Sequence, residues 1–386
     1  MATPLLSDEE LLARLVAFDT TSSKSTRPAV DFLANYLDRP GLRLDRRPYP
    51  QGDKENFVVE VGPEVSPDRR GLVVSGHLDV VPPGDGWSCE PFALTDQGDR
   101  WLGRGTADMK GFVALAVNAL ARRSGSSLAS PLVGVFTCDE EVGCLGAGHL
   151  ADTWPPGRLL PRETLIGEPT LLEALTAHKG HLRLKLQFEG VSAHSGYPHL
   201  GVNAIEPAAL AVAALASLRA ELAEERPAGS ELFPDTPYVA LNVATISGGS
   251  AINMVPDRCE VGIGLRLLPG MTAEPWVERV RQAVSGVLPP RGWHLDVVGV
   301  TPPMWTPPEA PLFATLCQET GQRGLRAASY ATDGGQLARL GLDTVICGPG
   351  TIEAAHKPDE YLEKAQFAAG RNLLDRLISR FCEIAA

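Results

Sequence analysis

Three short apolar runs, each followed at once by acid or histidine, constrain this chain more than any other feature. Residues 71–75 (GLVVS) lead into Gly76-His77-Leu78-Asp79, residues 131–137 (PLVGVFT) into Cys138-Asp139-Glu140-Glu141, and residues 164–166 into Gly167-Glu168-Pro169. Runs this short and this apolar read as strands buried on both faces. Between the first two, residues 111–120 are apolar and Ala-rich, which suits a packed helix. Such alternation predicts an α/β fold, a mostly parallel sheet covered by helices. In open sheets of that kind ligands bind beyond the carboxyl ends of the strands, where all three clusters arrive.

The pattern changes near His178. Residues 183–188 (RLKLQF) alternate polar and apolar, as a half-exposed antiparallel strand should. A long Ala- and Leu-rich helix over 202–222 follows, then strands over 238–246 and 258–268, then a helix over 277–287. This is a smaller α+β insert. Strand-like 293–298 and 344–347 and helical 312–319 and 365–381 then restore the α/β character. The expected organisation is a catalytic domain in two segments, 1–177 and 291–386, interrupted by the insert at 178–290.

Composition narrows the partners. The 386 residues carry 35 basic and 47 acidic side chains, a net charge of -12. Nucleic acid and anionic membrane both need clustered Lys and Arg, so neither is expected as a partner. No apolar run approaches the roughly 18 residues of a membrane span. Residues 1–10 lack the basic and apolar regions of a signal peptide, and Ser7 with Glu10 forms a Ser-x-x-Glu capping box that opens a helix. Seven cysteines without a Cys-x-x-Cys pair read as reduced thiols in a cytoplasmic protein.

Taken singly, each candidate site residue has a plainer reading. His77 is a loop residue, Asp139-Glu140-Glu141 a solvated turn, Asp108 of GRGTADMKG a helix N-cap, and His356 a surface side chain. Together they offer the imidazole nitrogens and carboxylate oxygens that hard or borderline divalent cations take, and a carboxylate can bridge two such ions. His77-x-Asp79 adds an acid that supports the ligating imidazole or assists the neighbouring base. Successive residues at a strand end point apart, so one of Glu140 and Glu141 faces a metal and the other a water. Spacing does not say which.

Several longer segments carry a resemblance. GHLDVVPPGDGWSCEPF, GRGTADMKG, TCDEEVGCLGA, IGEPT, AHKGHLRLKLQFEGVSAHSGYPHLGVNAIE, INMVPDRCEVGIGLRLLPG and GPGTIEAAHKPDEYL resemble the acetylornithine deacetylase / succinyl-diaminopimelate desuccinylase / glutamate carboxypeptidase family of zinc hydrolases, in order and over nearly the whole chain. GRGTADMKG, IGEPT and AHKGH resemble its acetylornithine deacetylase branch, which includes N-acetylcitrulline deacetylase.

The resemblance implies roles. Asp108 bridges two metals, zinc or cobalt, with one or two ions per subunit. His77 and Glu168 complete one shell, Glu141 and His356 the other. Glu140 is the general base, Asp79 supports the His77 side, and the Asp108–Met109 peptide is cis. The insert becomes a lid and dimerisation domain of a homodimer, whose His194 reaches the other subunit's site and stabilises the oxyanion. Asn253 and Arg266 bind substrate, Arg266 through a bidentate fork suited to a carboxylate. Gly348-Pro349-Gly350 offers backbone donors to the same group. Lys179 and Tyr330 carry no assigned role, and His149, His181, His199 and His294 read as structural or exposed.

The expected reaction is hydrolysis of the N-acetyl amide of an amino acid of arginine biosynthesis, N-acetyl-L-citrulline or N2-acetyl-L-ornithine, giving acetate and the free amino acid. A related dipeptidase, desuccinylase or carboxypeptidase is the nearest alternative. A non-catalytic metal-binding paralogue is the distant one.

Overall fold

The computed structural model describes residues 4–51 and 53–383. The chain divides into two compact units: one takes the residues up to Thr176, Thr306–Arg326 and those from Thr332 onward, the other Ala177–Trp305 and Ala327–Ala331.

The first unit is built on a six-stranded sheet. Its strands are β1 (Leu42–Tyr49), β2 (Lys54–Val61), β3 (Leu72–His77), β4 (Leu132–Thr137), β5 (Glu163–Pro169) and β6 (Asp343–Gly348), in the spatial order β1-β2-β4-β3-β5-β6. Four of them run parallel, with β4 and β5 flanking β3 and β6 outside β5. The hairpin β1–β2 adds an antiparallel edge through β4. Strands β3, β4 and β5 are buried along their whole length, as their uninterrupted apolar runs require.

Helices cover this sheet. α1 (Asp8–Val16) starts at Ser7, where both bonds of the capping box form with Glu10. α2 (Arg27–Leu37) and α3 (Gly111–Arg122) bring Val30, Leu33, Leu37, Val113 and Leu120 into one core with Leu11, Leu15 and Val74. The small residues of α3 let it lie close against the sheet, and eleven of its twelve positions are buried.

In the second unit, strands His181–Glu189, Ala240–Gly248, Arg258–Arg266 and Trp293–Thr301 form an antiparallel sheet in the order 240–248, 258–266, 181–189, 293–301. Its inward residues Leu182, Leu184, Leu186 and Phe188 alternate with outward polar ones. They share a core with Ala208, Ala211 and Leu215 of helix Ile205–Glu224 and Val280 of helix Glu274–Ser285. The strand expected over 293–298 lies along 181–189, so this unit runs on to Trp305 rather than stopping at 290. Among the described residues, no helix is long and apolar enough to cross a membrane.

Candidate metal centre

The parallel register delivers the first ligand pair. Ser75 lies beside Ile166, so His77 at the end of β3 and Glu168 two residues beyond Ile166 reach the same edge. Gly167, before Glu168, faces Phe112 of α3; a Cβ there would fall 1.8 Å from the ring, so the close packing needs glycine. His77 Nε2 is 3.9 Å from Glu168 Oε1 and 2.9 Å from Asp108 Oδ1. The other Asp108 oxygen, Oδ2, is 3.1 Å from His356 Nε2, which lies 2.9 Å from Glu141 Oε2. Asp108 therefore turns one oxygen to each histidine. It lies in the turn Thr106–Lys110 before α3, and its peptide bond to Met109 is cis.

Two further carboxylates hold this geometry through the backbone. Asp79, fully buried, accepts from the Glu140 N–H (3.0 Å), the Glu141 N–H (3.3 Å) and the Ser22 hydroxyl (2.7 Å). The His77 Nδ1–H instead donates to the Asp79 carbonyl at 2.8 Å, with the Asp79 carboxylate 3.8 Å away. Asp79 thus supports the imidazole through its main chain and the Glu140–Glu141 segment through its side chain. Glu360, 1 % exposed, does the same for Asp108. One of its oxygens accepts from the N–H groups of Ala107 and Asp108 (2.9 and 3.0 Å), the other from the Gly105 N–H and the Arg104 guanidinium (3.0 and 2.6 Å). The motif reading passed over Glu360, although it sits four residues after His356 in HKPDE.

The acids and imidazoles of the cluster shift one another's protonation. Burial, together with neighbouring acids, pushes Glu140 and Glu168 well above the usual carboxylate range and Glu141 above it too. Burial works against a charge on His77, yet the hydrogen bond to Asp108 and the nearby Glu168 raise it well above its ordinary value. Asp108 and Glu141 push His356 up to about 10. Burial opposes the Asp108 charge, but the two imidazoles hold its carboxyl below the usual range. Four acids, Asp108, Glu140, Glu141 and Glu168, thus share one place with the imidazoles of His77 and His356. Glu141 Oε1 is buried with no hydrogen-bond partner. The ligand atoms of His77, Asp108 and Glu168 lie within 4.8 Å of one another, and so do those of Asp108, Glu141 and His356. Two overlapping donor sets, rich in carboxylate and imidazole and sharing Asp108, fit a pair of divalent cations.

The remaining predicted residues lie elsewhere. In the second unit, exposed His194 pairs with Met254 across a short ladder, and the Ser195 N–H donates to the Asn253 carbonyl at 3.0 Å, so His194 and exposed Asn253 are neighbours. Arg266 ends the strand Arg258–Arg266 and is half-buried. In the first unit, the Gly348 N–H donates to the Thr170 hydroxyl (3.2 Å) and the Gly350 N–H faces Gln366 Oε1 (3.5 Å). The proposed backbone donors of this turn are therefore already engaged within the chain. Lys179 is buried, its ammonium donating to the carbonyls of Thr236 and Tyr238 (2.6 and 2.9 Å). His199 and His294 are exposed, His149 and His181 partly so.

Fold and site together define a class: an α/β protein with two overlapping candidate metal-ligand sets at the carboxyl edge of a parallel sheet. The sequence profile of peptidase family M20/M25/M40 matches residues 73–380, and the chain belongs to that family. The acetylornithine deacetylase of Edwardsiella ictaluri (strain 93-146) is 36% identical over 374 residues, covering 95% of this chain and 94% of the relative. That of Klebsiella pneumoniae (strain 342) is 34% identical over 371 residues, with the same coverage of 95% and 94%. Among solved structures, the M20 family metallo-carboxypeptidase Sso-CP2 from Sulfolobus solfataricus matches with a TM-score of 0.76 at 15% identity, covering 97% of this chain and 99% of that one. Aminopeptidase PepT from Bacillus cereus ATCC 10987 matches with a TM-score of 0.70 at 20% identity, covering 98% and 100%. At these identities the structures establish the shared fold.

Proposed function

We propose that this chain, a metal-dependent amide hydrolase, removes the acetyl group of an N-acetylated amino acid of arginine biosynthesis, N2-acetyl-L-ornithine or N-acetyl-L-citrulline. The products are acetate and the free amino acid. The observation that carries this reading is Asp108, whose two carboxylate oxygens face His77 and His356 separately inside a buried ring of acids. The substrate class is supported by the relatives named acetylornithine deacetylase, which are 32–36% identical over 95% of the chain.

His77, Asp108 and Glu168 would hold one cation, and Asp108, Glu141 and His356 a second. A divalent ion bound there, Zn2+ or Co2+, supplies Lewis acidity that lowers the pKa of water toward 7 and polarises the acyl carbonyl. Glu140 lies beside this set, its peptide held by Asp79, with its carboxylate outside both ligand groups. It takes the proton of the attacking water and later delivers it to the departing amine. His194, supplied by the other subunit of a homodimer, donates to the oxyanion, an interaction worth about 3–4 kcal/mol per donor. Arg266 and Asn253 bind the substrate, Arg266 by pairing with the α-carboxylate. A cytoplasmic enzyme with reduced thiols agrees with the seven free cysteines.

The test is a side-by-side assay of N2-acetylornithine, N-acetylcitrulline, N-succinyl-diaminopimelate and a dipeptide. One of the two acetylated amino acids should have the highest kcat/KM. A chelator should abolish that activity, and zinc or cobalt should restore it. Preference for the succinylated substrate or the dipeptide would overturn the substrate assignment, and chelator-resistant turnover the metal dependence.

A further inference from the structure

Outside the two donor sets lies a third, of different chemistry. Glu140, Cys144 and Asp333 present ligand atoms that all lie within 4.8 Å of one another. Glu140 and Cys144 belong to the turn after β4, in which Cys144 takes the left-handed region (φ +57). Asp333 precedes the short helix Gly334–Leu337. Cys144 Sγ is 3.5 Å from Glu140 Oε1. Asp333 is 2 % exposed; its Oδ2 accepts from the Thr137 hydroxyl at 2.5 Å, its Oδ1 is buried without a close donor, and the Cys144 thiol is the carboxylate's other side-chain partner. A thiol is a weak donor and offsets little of the cost of burying a carboxylate, and Asp333 makes no capping bond to the helix it precedes.

One thiol and two carboxylates suit a borderline, thiophilic cation and not magnesium or calcium, which take oxygen. The spacing agrees. Zinc–sulfur and zinc–oxygen bonds of about 2.3 and 2.0 Å at a tetrahedral angle place their donors roughly 3.5 Å apart. The Cys144 thiol donates to Glu140 Oε1 over that same distance, 3.5 Å, so exchanging the thiol proton for a cation asks for little movement of either donor. The two donor sets of the dinuclear centre contain no sulfur, so this trio has a preference they lack.

We propose that Glu140, Cys144 and Asp333 form an inhibitory site for a thiophilic divalent cation, with zinc in excess as its physiological class of ligand. On binding, a cation–sulfur bond replaces the S–H bond, and the thiol proton leaves to solvent. The carboxylates of Glu140 and Asp333 supply the other two protein donors. Glu140 engaged in this way cannot accept a proton from water. That inhibitory consequence rests on Glu140 being the general base; the binding itself does not.

Cobalt absorption in the holoenzyme separates the two. Protein holding two equivalents of Co2+ should show no sulfur-to-cobalt charge transfer, because its ligands are oxygen and nitrogen. Further Co2+ should bring in that near-ultraviolet band, saturating at one additional equivalent. Cys144→Ser should abolish it and Asp333→Asn should weaken cobalt binding tenfold or more. In parallel, excess Zn2+ should inhibit turnover saturably, and Cys144→Ser should raise the inhibitory zinc concentration at least tenfold, each protein being measured relative to its own activity at two equivalents of zinc. Absence of the band in the wild-type protein, or its persistence in both variants, would overturn the site. Since absorbance needs no substrate, this outcome is separable from failure of the deacetylase assignment. A band that appears as expected, with zinc inhibition equal in wild type and Cys144→Ser, would overturn the inhibitory role.

Discussion

The two units treat their polar residues in opposite ways. In the first, the candidate ligands His77, Asp108 and Glu168 are no more than 5 % exposed, and main-chain donors fix the loops that carry them: Asp79 ties down Glu140 and Glu141, and Glu360 ties down Asp108. In the second, His194 and Asn253 stand in solvent, and the strand Ala240–Gly248 forms an exposed sheet edge. Buried, over-determined carboxylates make a rigid site that holds charge in a set geometry before any ligand arrives. The contrast is between candidate ligands held by buried main-chain donors and candidate residues left on the surface.

Breaking the first unit's chemistry without its geometry should give the largest effect. Glu140→Ala should lower kcat by about 10²–10⁴-fold, the usual contribution of a positioned general base. Metal content should stay at the wild-type level, because Glu140 belongs to neither dinuclear donor set. Near-normal turnover would remove Glu140 from the base role.

Breaking the geometry without touching a ligand should come next. Glu360→Gln keeps the size of the side chain but replaces one acceptor oxygen by an amide that faces donors: Arg104 and three backbone N–H groups. Removing one partner of a buried ion pair costs about 3–5 kcal/mol. Metal affinity should fall roughly 10–100-fold, as for other groups that orient ligands. Equilibrium dialysis against a zinc buffer reads this directly, and unaltered affinity would reduce Glu360 to a packing role.

The second unit has a pH-dependent weak point of its own. His178 is fully buried, its Nδ1–H donating to the Lys179 carbonyl at 2.9 Å. Burial, helped by the charge of Arg266, pushes its pKa down to about 4. Below about pH 6.5 the unfolded chain takes up this proton and the folded one does not. The folded state is therefore favoured above pH 6.5, and the advantage is lost as pH falls toward 4, by on the order of 3 kcal/mol. Thermal unfolding across this range should show His178→Gln less acid-sensitive than the wild type. Equal sensitivity would mean that other groups set the acid limit.

Much of the site was legible because its ligands follow strands whose apolar runs mark them plainly, and because parallel strands must deliver their ends to one edge. What was not legible depends on pairings distant in sequence. The hairpin β1–β2 is hard to read in the sequence because its charged residues do not alternate cleanly with apolar ones. They are tolerated by ion pairs, Lys54 with Asp139 at 2.5 Å and Glu55 with Arg46 at 2.6 Å, that no local pattern reveals. The strand Trp293–Thr301 reads as a strand from its composition, but only its register with His181–Glu189 shows which sheet it joins. Glu360 and Asp333 look like surface acids in sequence. Their importance lies in contacts more than 190 residues away, to Asp108 and Thr137. Asp79 was recognised as a supporting acid, but the choice between imidazole and base segment needed the distances.

In the proposed site, Asp108 joins two cation positions within one chain. Anomalous diffraction at the zinc edge, from crystals of protein loaded with two equivalents of zinc, tests it most directly. The predicted result is two peaks on either side of the Asp108 carboxylate, one beside His77 and Glu168, the other beside Glu141 and His356. Zinc peaks that leave Asp108 without contact, or a single peak not bounded by its carboxylate, would contradict the account.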